Sequence, residues 1–528
     1  MAEGSSTKRL WYTSPASEYM AGLPIGTGRL AAMVIGGLPE RVALNHEWLW
    51  RGINRNREPE PGADRLAEVR RLLLAGEYVE GTRLGNEAFG GPGGTSRRPH
   101  RVDPYQPAGD LRLLLAHGEP EEYRRELDLD RGLVTVTYRV AGTRYCREYL
   151  ADLAHDLIWV RVYADRPFEG SLWLERREDP GCFLRTEIEP DRLILDGQFD
   201  GGIGFRVEAR VRVRSGKVRV QGERLVFEGV GEVLVALDIG TSAQAQAPAR
   251  ECFRRGLPEG DWAALIRQHG QVYDRLYRGL DLEVDLPEDQ DLPTDQRLRA
   301  AREGAADPAL PLLYFNHGRY LLVASTATAS LPPNLQGKWN EDLDPPWQAD
   351  YHHDVNLQMN YWPAEAGHLQ YATEALFQHL ERFVPHARRA AREVYGCDGI
   401  WFPIQTDPWG RSTPESFGWA VWIGAAPWLA QHLWWHWEYG QDLEFLRQRA
   451  YPFIKEVAAF YESYLIEDND GRLQIVPSQS PENRFVGGGD LPVSLGVSAA
   501  MDVELAQELL EHAVAAAELL GMDLEIGR

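Results

Sequence analysis

Two polar segments carry side chains suited to breaking a bond. The first, Asn340-Glu-Asp-Leu-Asp-Pro-Pro-Trp-Gln-Ala-Asp-Tyr-His-His-Asp-Val-Asn-Leu-Gln-Met-Asn-Tyr-Trp362, holds His352, Asp354 and Asn356 at alternate positions. On an extended backbone such side chains share one face, whereas on a helix residues two apart diverge. A plainer role for Asp354 is to cap a helix beginning near Val355. The second segment, Val476-Pro-Ser-Gln-Ser-Pro-Glu-Asn-Arg484, is a polar loop between two predicted helices and contains Glu482. Glycosidic cleavage asks for a protonated acid at the leaving oxygen and, across the sugar, a base that delivers water or a nucleophile. Glu482 and Asp354 are candidates for that pair. With 79 acidic residues in the chain, pairing alone selects nothing, and the plain alternative for Glu482 is an exposed loop carboxylate.

Eleven of the 17 tryptophans lie between Trp339 and Trp437. Most are expected in the core. Trp339, Trp347, Trp401 and Trp409, however, sit in loops rich in Pro, Gly, Asp and Asn, where large rings more often line a site. Indoles stack on sugar faces, so loop tryptophans beside carboxylates point towards carbohydrate. Other chemistries fit poorly. His432 and His436 are spaced i,i+4, but the intervening Leu-Trp-Trp lacks the glutamate of a zinc-protease helix, and both read as packing or surface. Gly22-Leu-Pro-Ile-Gly-Thr-Gly28 and Phe89-Gly-Gly-Pro-Gly-Gly94 have neither a P-loop lysine nor a dinucleotide-binding context, and read as turns. There is no Gly-x-Ser-x-Gly elbow for acyl transfer. Neither a metal nor an organic cofactor is expected.

The surrounding elements divide by period. From about Leu10 to Ile239 apolar residues alternate, as in Phe205-Arg-Val-Glu-Ala-Arg-Val-Arg-Val213, which predicts an antiparallel β-sandwich with one helical pattern at Asp64 to Leu74. After Thr241 the pattern turns helical, and Gly260 to Tyr277 reads as a linker helix with an Asp at its start suited to capping. Six further helices are predicted near Leu310–Ser325, Val355–Ala366, Ala372–Tyr395, Trp419–Tyr439, Leu443–Leu465 and Val503–Leu520. The expected domains are 1–250 (β-sandwich), 251–290 (helical linker) and 291–528 (helical). At 528 residues with 44% hydrophobic content the chain supports more than one core. Its net charge of −23 opposes nucleic acid or an anionic membrane as partner, and a neutral substrate suits it better. The N-terminus shows no signal-peptide or membrane-spanning stretch, and the scattered Cys146, Cys182, Cys252 and Cys397 read as reduced core thiols, so a cytoplasmic location is expected.

Several longer motifs resemble glycoside hydrolase family 95, the inverting α-L-fucosidases, some of which act on α-L-galactosides. They are Leu10-Trp-Tyr-Thr-Ser-Pro-Ala, Leu23-Pro-Ile-Gly-Thr-Gly-Arg-Leu, Leu44-Asn-His-Glu-Trp-Leu-Trp-Arg-Gly52, Tyr105-Gln-Pro-Ala-Gly-Asp-Leu111, Asn334-Leu-Gln-Gly-Lys-Trp-Asn340, Asp350-Tyr-His-His-Asp-Val-Asn-Leu-Gln-Met-Asn-Tyr-Trp-Pro363 and Ser480-Pro-Glu-Asn483. The resemblance implies an N-terminal β-sandwich, a helical linker, an (α/α)6 barrel with the active site, and a small C-terminal β domain. It implies Glu482 as general acid, His352 as a sugar contact, Asn356 as a residue that positions the attacking water, and Trp428 as a substrate contact. The implied substrate is an oligosaccharide or glycoconjugate with a terminal α-L-fucosyl or α-L-galactosyl residue.

Two departures follow. The family's usual asparagine is Asp354 here; where asparagine needs a distant aspartate to polarise it, a carboxylate takes the water proton directly. The sequence also ends at Arg528, so the barrel is expected to be incomplete, with apolar helix faces open to water and little activity alone. Two alternative functions are an inverting phosphorolytic or other α-glycoside-cleaving barrel enzyme, and a non-catalytic carbohydrate-binding fragment. Oligomeric state is left open.

Overall fold

The computed structural model describes residues 6–54, 61–90, 102–245, 247–286, 291–412, 421–487 and 493–523. They form two compact units. One comprises Met1–Ile53, Pro104–Pro346 and Ala366–Ala372; the other comprises Asn54–Asp103, Trp347–Glu365 and Thr373–Arg528.

The first unit is built on a 14-stranded sheet whose ladders are all antiparallel. Period-two burial produces it: Phe205, Val207, Ala209 and Val211 are buried, while the intervening Arg206, Arg210 and Arg212 reach outward. Two long strands organise it, Leu157–Glu175 and Arg224–Thr241. The first half of Leu157–Glu175 pairs with Thr143–Asp152, and its far end pairs with Gly109–Leu115. Register shifts at Phe227, Val230 and Glu232 mark where the two long strands bend together. Bending doubles the sheet into two layers, which Glu40 joins. Arg147 donates to its carboxylate at 2.8 Å, both side chains being 1% exposed, and the Tyr149 hydroxyl donates to the same oxygen. After the sheet comes the helix Trp262–Tyr277, capped by Asp261, whose carboxylate accepts from the Ala264 amide at 2.9 Å.

The motifs in this unit are structural. Glu47 accepts from the Ser330 amide and hydroxyl, the Leu331 amide and the Lys338 ammonium, the last at 3.0 Å. The Asn45 side chain donates to the Asn340 carbonyl and accepts from the Asn340 amide, and Tyr105 donates to the Lys338 carbonyl at 2.9 Å. Gly28, at φ 102°, lets the backbone of 326–329 approach so closely that a Cβ would lie 2.9 Å from it. Lys338→Ala would leave a buried carboxylate short of its countercharge. It is expected to cost about 3–5 kcal/mol in urea denaturation of this unit, most of it recovered in a Glu47→Gln, Lys338→Met double variant.

The second unit is mainly helical. The helical pattern expected at Asp64 to Leu74 is the helix Leu66–Leu74; it pairs with a second helix not read from the sequence, Tyr78–Phe89, and both group here rather than with the sheet. Its other principal helices are Asn356–Ala366, Thr373–Ala390, Ala425–Gly440, Tyr451–Tyr464 and Ala500–Leu520. Two expected helices are interrupted: a π-turn at Ala391–Tyr395 finishes one, and another at Leu446–Ala450 divides the segment from Leu443. Trp419 and the glycines at 91–94 lie outside the described residues. Among those described, no helix is long and apolar enough to cross a membrane, and all four cysteines are free.

Candidate active site

His352 is held by a two-residue strand. Tyr351 and His352 pair with Thr406 and Gln405, and the next amide, His353, donates to the Ile404 carbonyl at 2.7 Å. The adjacent histidines then part in role. His353 is fully buried, with Nδ1 at 2.9 Å from the Pro403 carbonyl and its ring among Phe383, Phe402 and His379, and burial lowers its pKa to about 4. It is an anchor. His352 remains 15% exposed and meets the Asp350 carboxylate through Nδ1 at 2.5 Å.

Burial alone would discharge the His352 ring. The Asp350 carboxylate, aided by Asp354 and Glu482, outweighs it and raises the pKa above the ordinary histidine value. Asp354 is shifted up as well, first by burial, with the positive His352 pulling down and Glu482 pushing up. One of its carboxylate oxygens, Oδ1, is buried without a hydrogen-bond partner. Because the His352 pKa is raised, its ion pair stabilises the fold fully below the unfolded value and loses that contribution as pH rises through the folded one. Asp350→Asn should carry the His352 titration from above the ordinary value to below it, which NMR of ring-labelled histidine would read.

The extended reading of this segment holds only as far as His352. Residues 353–355 form a turn and the helix begins at Asn356, one residue after the expected start. Asp354 therefore sits in the turn, and Asn356, as the first helical residue, is exposed.

The loop bearing Glu482 has a pinned stem and an open tip. The Val476 carbonyl accepts from the Arg70 guanidinium at 2.9 Å, the Pro477 carbonyl from the Tyr464 hydroxyl at 2.6 Å, and Ser478 exchanges backbone hydrogen bonds with Gly496. At the tip the Asn483 amide returns to the Ser480 carbonyl at 2.8 Å, closing a tight turn around Glu482, which is exposed.

Charge thus couples His352, Asp354 and Glu482. No hydrogen bond, ion pair or ring contact among the described residues links Asn356 or Trp428 to them; Trp428 packs edge-on against Trp422 at 6.4 Å. The loop tryptophans divide. Trp339 donates to the Ile25 carbonyl and packs on Tyr19, Met33 and Ala43, and Trp401 is buried with its indole on the Trp422 carbonyl. Trp409 is also buried, whereas Trp347 is 67% exposed. His432 is buried against Tyr361 and Trp435, and His436 bonds to Glu365, so this pair is packing. Asp350 was not singled out in the sequence, although its place two residues before His352 extends the same alternation. No group of three His, Cys, Asp or Glu side chains among the described residues is arranged to hold a metal ion.

Comparison with known proteins matches the glycosyl hydrolase family 95 catalytic domain over residues 261–528, and a glycosyl hydrolase family 65 N-terminal domain over residues 10–246. The chain belongs to glycosyl hydrolase family 95. It is 29% identical to "Alpha-L-fucosidase 2" of Arabidopsis thaliana, over 97% of this chain and 65% of that protein. It is 27% identical to "Probable alpha-fucosidase A" of Aspergillus niger, over 91% of this chain and 64% of that one. The chain therefore spans less than two thirds of these relatives' lengths. A solved structure from the human microbiome, assigned as a candidate kojibiose phosphorylase, superposes with TM-score 0.57 at 9% identity, covering 99% of this chain and 69% of the other, and shares the fold.

Proposed function

We propose that the chain acts as an exo-acting glycoside hydrolase that removes a terminal α-L-fucosyl residue, or the related α-L-galactosyl residue, with inversion. The observation that carries this is the His352–Asp350 pair followed in the same turn by Asp354, whose Oδ1 is buried without a hydrogen-bond partner, in a chain of family 95. In this reading Glu482 gives its proton to the glycosidic oxygen as the bond to the anomeric carbon breaks. Water attacks that carbon from the opposite face, and Asp354 takes the water proton. One water is consumed, and the carboxyl groups end with their protons exchanged. His352, charged through Asp350, donates to a sugar hydroxyl, Asn356 orients the water, and Trp428 offers a ring face to the sugar.

The proposed domains are a β-sandwich over 1–250, a helical linker over 251–290 and a partial (α/α)6 barrel over 291–528, with the inserted segment 54–103 grouping with the helical unit and 291–346 with the sheet unit. The substrate is an oligosaccharide or glycoconjugate, and the buried thiols of Cys146, Cys252 and Cys397 support a cytoplasmic setting. Release of 4-nitrophenol from its α-L-fucoside and α-L-galactoside, with and without inorganic phosphate, tests the reading. Phosphate-independent release supports it. Phosphate-dependent release makes the chain a phosphorolytic enzyme, and calorimetric binding of L-fucose without release at high protein concentration makes it a binding fragment.

A further inference from the structure

Asp502 is a carboxylic acid with no access to water, in the first turn of the helix Ala500–Leu520. Burial of this kind is costly unless the group is well bonded. One oxygen, Oδ2, takes two hydrogen bonds from the stem of the loop that carries Glu482, while the Trp422 indole is the further polar group near this carboxyl. Ser478 donates its hydroxyl to Asp502 Oδ2 at 2.6 Å, and the Gln479 amide donates to the same oxygen at 3.1 Å. The Ser478 hydroxyl in turn accepts from the Ala499 amide, just before the helix, at 2.9 Å. Burial pushes the Asp502 carboxyl up to about 6, against the opposite pull of Ser478, Gln479 and the Trp422 indole.

The anchor lies near the reacting group along the chain. Glu482 lies three positions after Gln479, a reach of at most about 11 Å. The intervening turn is closed twice at Ser480, by the Asn483 amide on its carbonyl at 2.8 Å and by the Asn483 side chain on its hydroxyl at 2.9 Å. A tilt at Gln479 is therefore handed on to Glu482 rather than absorbed by slack backbone.

We propose that Asp502 is the positioning residue for Glu482, fixing the loop stem through Ser478 and Gln479 so that the closed turn presents the acid at one place. The inference rests on the reading of Glu482 as acid. A displacement of about 1 Å at a reacting group costs on the order of 10²-fold in rate, so the anchor acts on kcat, whereas sugar contacts elsewhere keep KM.

The test uses the whole chain with Asp502→Ala, Asp502→Asn, Ser478→Ala and Glu482→Gln, with two measurements. On an unactivated substrate, methyl α-L-fucoside, Asp502→Ala should lower kcat about 10- to 100-fold with KM within about threefold. Asp502→Asn should keep much of the rate, because its amide oxygen still accepts both bonds, and Ser478→Ala should fall between them. Hydrogen exchange of the backbone over 478–485, which needs no turnover, should quicken in Asp502→Ala and stay slow in Asp502→Asn and Glu482→Gln. Unchanged exchange and kcat in Asp502→Ala, or equal losses in the Ala and Asn variants, overturn the proposal. If wild type shows no turnover, the exchange comparison alone decides it. If Glu482→Gln turns over like wild type, the acid assignment falls and the inference with it, whatever the exchange shows.

Discussion

Glu482→Gln is expected to lower kcat on an unactivated α-L-fucoside by about 10²- to 10⁴-fold, the usual contribution of a placed general acid. Glutamine fills the same space and accepts hydrogen bonds, but it has no proton to give to the leaving oxygen. The loss should therefore depend on the leaving group. A methyl or sugar leaving group departs badly as an anion and shows the full deficit, whereas a 2,4-dinitrophenyl group leaves without protonation and shows little. A deficit of equal size across leaving groups would mark Glu482 as a binding or folding residue instead.

Asp354→Asn carries the second large effect. Asp354 has a raised pKa, mainly from burial, which makes it a stronger base than an ordinary surface carboxylate. As base it must be ionised, so kcat/KM should fall as pH drops through a value above the usual carboxylate range. Asp354→Asn should lower kcat by about 10²- to 10⁴-fold, leave KM within about threefold, and remove that acid limb. An unchanged kcat would exclude the carboxylate as proton acceptor and return the task to an asparagine-like arrangement, in which a further carboxylate polarises the group at position 354. The contrast is informative because the family's usual asparagine at this position is the residue the variant would restore.

What could be read from the residues follows from whether the signal was local. The alternation in Phe205 to Val213 gives a strand because a sheet face repeats every two residues, and Asp261 caps its helix because the partner amide, Ala264, is three residues on. Glu47 and Lys338 could not be paired from the sequence, since 291 positions separate them and no local pattern joins them. The motifs around them read as one long resemblance, and the structure gives its physical content: the Asn45 side chain clasping the Asn340 backbone, a buried ion pair and a glycine contact that hold the segment 326–340. The π-turns at Ala391 and Leu446 were invisible because an extra residue in a helical turn barely changes an apolar pattern.

At the candidate site the residues gave the cluster but not its parts. Alternation singled out His352 and Asp354, yet the chain turns after His352, so the useful partner of that ring is Asp350 on the other side. His353, equally prominent in the sequence, is the buried anchor. Trp339 and Trp401 looked like loop aromatics, but their indoles are tied to backbone carbonyls in the interior. Glu482, one of 79 acids, came forward through the resemblance of its Ser-Pro-Glu-Asn context, and the exposed tip alone would have left it a surface carboxylate.

Stereochemistry tests the central claim most directly. Proton NMR of the sugar released from an aryl α-L-fucoside, recorded before the anomers equilibrate, should show the β-anomer first in wild type, with that signal lost in Glu482→Gln and in Asp354→Asn. First appearance of the α-anomer would mean retention through a covalent intermediate, and would contradict the assignment of Asp354 as the base that delivers water.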